Sequence, residues 1–261
     1  MCIKKHLVIL GGLGVIGQIL WTALSDDYDI LMGDLVGYPT ANTIHYQQID
    51  VTNYDDLCRF IPTKAHAVIN LTAMPRQERI VDVQTFQRMM AVYGQGAYNI
   101  LQAANEKGVK KVILASSNHV TGMSEEGGIS LTGNEIDLST YPKPDDIYGG
   151  FKLAQESWAR VMSDVTELSV ICLRIGTVVA DECTALRQNQ RTHRTLLSHV
   201  DCATLFRSAI DTDVKFGVYY GVSQNFEKPW SIRSVMDELS YQPTKNSQQR
   251  LEECLRITQV K

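Results

Sequence analysis

The run from His6 to Leu20, HLVILGGLGVIGQIL, constrains this chain more than any other stretch. A short apolar segment stops at Gly11, Gly12, Gly14 and Gly17, and an amphipathic stretch begins inside the cluster. A strand that turns through glycine straight into a helix leaves the helix N-terminus, with its unpaired N–H groups, facing whatever lies beyond the strand. The spacing Gly11-x-x-Gly14-x-x-Gly17 supplies a tight turn, close backbone approach to a pyrophosphate, and close helix–strand packing. A dinucleotide is the expected occupant of that turn. Val15, Ile16 and Leu71 are expected beside it.

The first 115 residues continue the pattern, alternating short β-branched runs with longer amphipathic stretches, as a parallel sheet with crossover helices requires. Strands are predicted at His6–Leu10, Asp29–Gly33, His45–Gln48, Ala67–Leu71, Lys111–Ala115 and Ser169–Ile175. Helices are predicted at Gly14–Leu24, Tyr54–Phe60, Val83–Lys107 and Tyr148–Ser163. The runs AVINL, KVILAS and SVICLRIG are almost continuously apolar, which fits strands covered on both faces. The stretch from Gly122 to Pro144 reads as loop. The fold class expected is α/β, a Rossmann-type doubly wound parallel sheet. Residues 1–177 form the predicted dinucleotide-binding domain. Residues 178–261 form a small substrate-binding lobe packed on it, with a polar, Arg-containing loop, a helix near Asp201–Ala209, a strand near Val214–Val222 and a C-terminal helix.

Composition excludes several classes. The chain is 44% hydrophobic and 21% charged, with a formal net charge of -4, so it lacks the basic field that a nucleic-acid backbone needs. The apolar run near the N-terminus is broken by four glycines and is neither signal peptide nor membrane span. The six cysteines show no CxxC pair and no dense framework, and they read as small buried hydrophobes of a reducing compartment. No metal site is expected, and the expected address is cytoplasmic.

Three groups of residues carry chemistry. Asp34 ends the second strand, placed to accept from ribose hydroxyls and to repel a 2′-phosphate, so NAD is expected over NADP. Asp50 and Val51, just after the third strand, sit where the adenine edge would lie, or Asp50 caps a turn. Tyr148 and Lys152 are spaced i, i+4, which puts phenol and ammonium on one helix face. A tyrosine pKa starts near ~10, and lowering it by ~3 units takes about 4 kcal/mol, which a lysine and an oxidised nicotinamide ring can supply as cations. The strand upstream runs out in Ser116, Ser117, Asn118 and His119, where a hydroxyl can hydrogen-bond the reacting oxygen. Arg187, Arg191, His193 and Arg194 cluster near the predicted cleft, and a guanidinium fork matches a carboxylate. His199 beside Asp201 has no third ligand and reads as a helix start.

The strand with GGLGVIG, Asp34, ASSNHVTG, YGGFK and LRIGT occurs in the order and spacing of the extended short-chain dehydrogenase/reductases, also called NAD-dependent epimerase/dehydratases, over about residues 4–177. More narrowly, SSNHVTG, PDDIYG, LRIGT, SHVD and YYGVSQN resemble uronate dehydrogenases. The resemblance implies that Ser117, Tyr148 and Lys152 are catalytic. It also implies that Ser117, Asn118, His119, Tyr148, Thr177 and Arg191 contact the sugar acid. Pro75 stands where that family carries a substrate-contacting serine, Phe151 where a serine precedes the lysine, and Tyr93 where an asparagine is usual. The implied activity is NAD-dependent oxidation of the anomeric carbon of a uronate or aldose to a lactone, by a homo-oligomer with a small sugar or sugar-acid substrate. Two alternatives remain: an NAD-dependent sugar epimerase or dehydratase, and a non-catalytic NAD-sensing protein.

Overall fold

Successive residues of β1 (Lys5–Leu10) enter two different cores: Leu7 and Ile9 pack on one side of the sheet, Val8 and Leu10 on the other. That is the consequence of a two-residue side-chain period in a strand covered on both faces. The computed structural model describes residues 4–37 and 45–259. Its main sheet has seven strands, all parallel, adding β2 (Tyr28–Asp34), β3 (Tyr46–Gln48), β4 (Ala67–Asn70), β5 (Lys111–Ser117), β8 (Ser169–Ile175) and β9 (Phe216–Gly221) to β1. The order β3-β2-β1-β4-β5-β8-β9 reverses direction between β1 and β4, the doubly wound arrangement whose ligands sit beyond the carboxyl ends of the strands.

On one face lie α1 (Val15–Leu24), α8 (His199–Asp211) and α9 (Arg233–Leu239); on the other lie α2 (Tyr54–Phe60), α4 (Ala97–Glu106) and α5 (Ile147–Val165). Short polar side chains start several of them by accepting from backbone N–H groups of the first turn: Asn53 at α2, Asp146 at α5 and Ser198 at α8. His199 is the first residue of α8, and its ring Nε2 lies 2.7 Å from the Val179 carbonyl oxygen, as a helix-start reading expects.

Several expectations need correcting. The single helix over 83–107 is three segments, α3 (Val83–Met89), a π-helical stretch Met90–Gly96, and α4. The loop at 122–144 contains the end of a 3-10 segment (Asn118–Ser124) and a hairpin of β6 (Glu125–Glu126) and β7 (Ile129–Ser130). The polar loop beyond Thr177 contains α6 (Glu182–Gln188) and α7 (Gln190–Thr195), capped by Asp181 and Asn189, and the chain ends in two helices, α9 and α10 (Ser247–Gln259). Cysteine pairing is the largest correction: Cys183 on α6 and Cys254 on α10 form a disulfide, whereas Cys58, Cys172 and Cys202 are free. Cys2 lies outside the described residues. β9 is hydrogen-bonded to β8 along its length, so the boundary expected at 177 falls between two strands of one sheet. Among the described residues no helix is long and apolar enough to cross a membrane.

Candidate functional site

The glycine turn is built as its spacing predicts. Gly11 takes a positive φ of 81°, and a Cβ there would lie 2.7 Å from the Leu71 carbonyl carbon; at Gly17 a Cβ would meet the Gly12 carbonyl oxygen at 2.3 Å. Neither position has room for a side chain, so strand, turn and helix close on each other. Asp34 reaches back to this turn, its Oδ2 accepting from the Leu13 N–H at 3.0 Å. Asp50 behaves as a turn cap, its Oδ1 accepting from the backbone N–H and the hydroxyl of Thr52 at 2.9 and 2.7 Å, and Val51 is buried under Gly96.

A cavity of about 290 Å³ runs over the turn, lined by Gly11, Gly14, Val15, Ile16 and Gly17, by Leu71 at the end of β4, and by Ser117, Tyr148 and Lys152. A second, of about 300 Å³, is lined by Ser117, Asn118, His119, Tyr148, Thr177 and Arg191 together with Met74, Pro75, Arg76 and Gln77 from the loop after β4. Ser117 and Tyr148 face both cavities, so the two spaces meet at those hydroxyls. Gly176 of LRIGT also lines the first cavity, as do Thr72, Ala73 and Val178, which no motif singled out. Met89 and Tyr93 also line the second.

Lys152 is 3% exposed and donates to the Ala115 carbonyl at 2.8 Å and to Gln155 Oε1 at 3.3 Å. Burial disfavours its charge and pulls its pKa down to about 8. Its Nζ lies 5.1 Å from the centre of the Tyr93 ring and 5.6 Å from that of Tyr148. Burial pushes the Tyr148 hydroxyl above its ordinary value, with Tyr93 adding to the rise, while a hydrogen bond with Ser117 and the charge of Arg76 oppose it. The chain by itself therefore holds Tyr148 as a phenol, which differs from the lowered pKa expected once an oxidised nicotinamide is counted.

Tyr93, in place of an asparagine, accepts from the Met74 N–H on its hydroxyl at 2.8 Å and from Gln155 Nε2 on its carbonyl at 2.8 Å. Its ring packs edge-on against Tyr148, centroids 5.3 Å apart. On the far side of Tyr148, His119 Nδ1 lies 2.8 Å from Asp145 Oδ1 and 3.4 Å from Asp146 Oδ2. Asp146 also caps α5 by accepting from the Gly149 N–H, so these carboxylates orient the imidazole and start the helix that carries Tyr148.

One turn beyond Lys152, Glu156 forms a buried bidentate pair with Arg174 at 2.8 and 2.9 Å and accepts from the Ser116 hydroxyl at 2.5 Å; Arg174 also donates to the Tyr220 hydroxyl at 3.0 Å. This network ties α5 to β5, β8 and β9 beneath the site. Sequence reading passed over it, although a charged residue inside SVICLRIG was the available signal. Arg191 also carries a partner that sequence missed: its Nη2 lies 2.6 Å from Glu125 Oε1 on β6.

The chain is 41% identical over 250 residues to Uncharacterized protein YtbQ of Bacillus subtilis (strain 168), covering 95% of this chain and 98% of that one. It is 28% identical over 259 residues to NAD-dependent glucose-6-phosphate dehydrogenase of Haloferax volcanii, covering 93% and 94%. Among solved structures, a mutated uronate dehydrogenase superposes with a TM-score of 0.80 at 24% identity over 97% of this chain and 86% of that one, which shows a shared fold. The family model described as the NAD dependent epimerase/dehydratase family matches residues 7–205, and the chain belongs to that family.

Proposed function

We propose that this chain is an NAD-dependent dehydrogenase that oxidises the anomeric carbon of an aldose or sugar acid to a lactone. The observation that carries the reading is the meeting of two cavities at Ser117 and Tyr148, with Lys152 buried behind them on the same helix face. NAD fits the first cavity, because the Gly11–Gly17 turn leaves no Cβ between the backbone and a pyrophosphate and opens the N-terminus of α1 towards it. Asp34 would take the adenosine ribose hydroxyls, and Lys152 the ribose next to the nicotinamide. When bound, NAD supplies the hydride acceptor. Ser117 would hold the anomeric hydroxyl, and Tyr148, as phenolate, would take its proton as C1 becomes a carbonyl carbon. Asn118, His119 and Thr177 would position the remaining sugar hydroxyls.

The similarity to a glucose-6-phosphate dehydrogenase and to a uronate dehydrogenase fold supports sugar oxidation without choosing the sugar. Exposed Val83, Phe86 and Met90 on one side of the α3 region support the homo-oligomer. The test is NADH absorbance after adding NAD with glucuronate, galacturonate, glucose or glucose 6-phosphate. Formation of NADH with at least one of them supports the reading. Silence across the panel, with NAD binding intact, returns the chain to the epimerase or sensing alternatives.

A further inference from the structure

Two arginines line the cavity on the substrate side, Arg76 and Arg191, and their surroundings differ. Arg191 is already neutralised. Its guanidinium donates to Glu125 Oε1 from Nη2 at 2.6 Å and from Nε at 3.3 Å, and the Glu125 side chain is only 9% exposed. The other Glu125 oxygen accepts from the Gly128 N–H at 2.7 Å, and the hairpin turn sits so close that a Cβ on Gly128 would lie 3.2 Å from Arg191 Cγ. A substrate carboxylate entering here would have to strip Glu125 of its partner or stand beside a second carboxylate in a poorly solvated place. Both arrangements raise the energy of a charge that water no longer screens.

Arg76 is exposed at the cavity and has no hydrogen-bond or ion-pair partner among the described residues. Its backbone is fixed nonetheless. The Met74 N–H donates to the Tyr93 hydroxyl, Gln77 Nε2 donates to the Pro75 carbonyl at 2.6 Å, and the Ile147 N–H donates to the Arg79 carbonyl at 3.1 Å. The loop is thus tied to the π-helical stretch and to α5, and its arginine acts electrostatically on Tyr148.

We propose that Arg76 is the anion-binding residue of this cavity, that Glu125 withdraws Arg191 from that role, and that the substrate is an aldose carrying a phosphate or carboxylate remote from C1. This rests on the C1-oxidation reading above for the identity of the reacting end. Both oxyanions suit a guanidinium fork, and phosphate gains more from a free exposed one because it brings the larger charge.

The test reads binding, so it does not depend on turnover. Titrate glucose, glucuronate and glucose 6-phosphate calorimetrically into NADH-saturated protein, parent and variants. At least one anionic sugar should bind about tenfold tighter than glucose, and Arg76→Gln should erase most of that preference, with Arg76→Lys keeping part of it. Arg191→Gln should shift the preference by less than about threefold, and Glu125→Gln, which frees Arg191, should raise affinity for glucuronate. Circular dichroism on each variant separates misfolding from lost binding. Equal affinity for all three sugars, or a preference that survives Arg76→Gln and disappears in Arg191→Gln, overturns the proposal. If the preference behaves as stated while no sugar yields NADH, the anion site stands and the oxidation reading falls.

Discussion

Tyr148 is held as a phenol by burial, yet its place between the two cavities makes it the proton acceptor of the proposed reaction. Tyr148→Phe keeps the ring that packs on Tyr93 and removes the acceptor. Turnover should drop by about 10²–10⁴-fold while NAD affinity, measured by NADH fluorescence titration, stays near that of the parent. Activity within about tenfold of the parent would take Tyr148 out of the chemistry. Lys152 gives a second prediction, with a sign set by its depressed pKa. Below about 8 both folded and unfolded chains hold the proton, and the folded state carries the full cost of a buried ammonium. Between that value and the ordinary 10.5 the folded chain releases the proton first, so the stability attributable to this residue rises with pH. Lys152→Met lacks the titrating group. Its advantage over the parent in unfolding free energy, measured by chemical denaturation, should therefore shrink from pH ~7 to pH ~9.5 by on the order of 2 kcal/mol. Subtracting the two curves cancels the tyrosines that titrate in the alkaline range. A pH-independent difference would show that Lys152 carries no such cost.

At the scale of an element, α5 shows how much one helix contributes and how much of it could be read. Its Gly149 and Gly150 look interchangeable in YGGFK, but a Cβ at 149 would lie 2.4 Å from the His119 carbonyl oxygen, whereas at 150 nothing lies within 4 Å. Gly150→Ala should stabilise the protein by about 0.4–1 kcal/mol through reduced unfolded-state entropy. Gly149→Ala should cost more than about 1 kcal/mol, because it pushes α5 off the His119 turn. Chemical denaturation of the two variants decides it, and similar midpoints would mean that α5 does not press on that turn. Tyr148 and Lys152 were legible because i, i+4 spacing puts two side chains on one helix face whatever the surroundings. The choice of Ser117 came from the family resemblance alone, whereas the Ser116–Ser117 pair was legible because a buried strand announces its own end. The central strands were legible for the same reason, since helices on both faces leave them continuously apolar. The split of 83–107 was not, because the periodicity continues through Met90–Gly96 while the backbone changes its hydrogen-bond spacing to seat Tyr93. Nor were α6 and α7, whose six or seven residues are too short to show a period and depend on caps. The Glu125–Arg191 pair joins residues 66 apart through a hairpin that sequence reads only as loop.

For the whole molecule, the carboxyl ends of the parallel strands gather the site, while residues beyond β8 close one side of it and return to the sheet as β9. The Cys183–Cys254 disulfide fastens this return, joining α6 to the C-terminal helix across a separation of 71 residues that includes α8, β9 and α9. Spacing could not reveal it, since two cysteines so far apart match neither a metal motif nor a dense framework. A cross-link over such a span stabilises mainly by limiting the unfolded chain, with a typical worth of about 2–4 kcal/mol. For a domain of this size that corresponds to roughly 4–15 °C in Tm. Cys254→Ser under oxidising conditions, and the parent treated with dithiothreitol, should therefore melt lower than the oxidised parent and close to each other. Adding dithiothreitol to the variant should do almost nothing, because Cys58, Cys172 and Cys202 are free thiols. α6 continues through Asn189 into α7, whose Thr195 carbonyl accepts from the N–H of Thr177 in the sugar-side cavity, so reduction should also loosen sugar binding more than NAD binding. Alkylation of the unreduced protein followed by mass spectrometry supplies the control. If both Cys183 and Cys254 take up the label, the bond does not form in solution, and the C-terminal helix is held by its side-chain contacts with α6, including the pair between Arg250 and Glu182 at 2.5 Å.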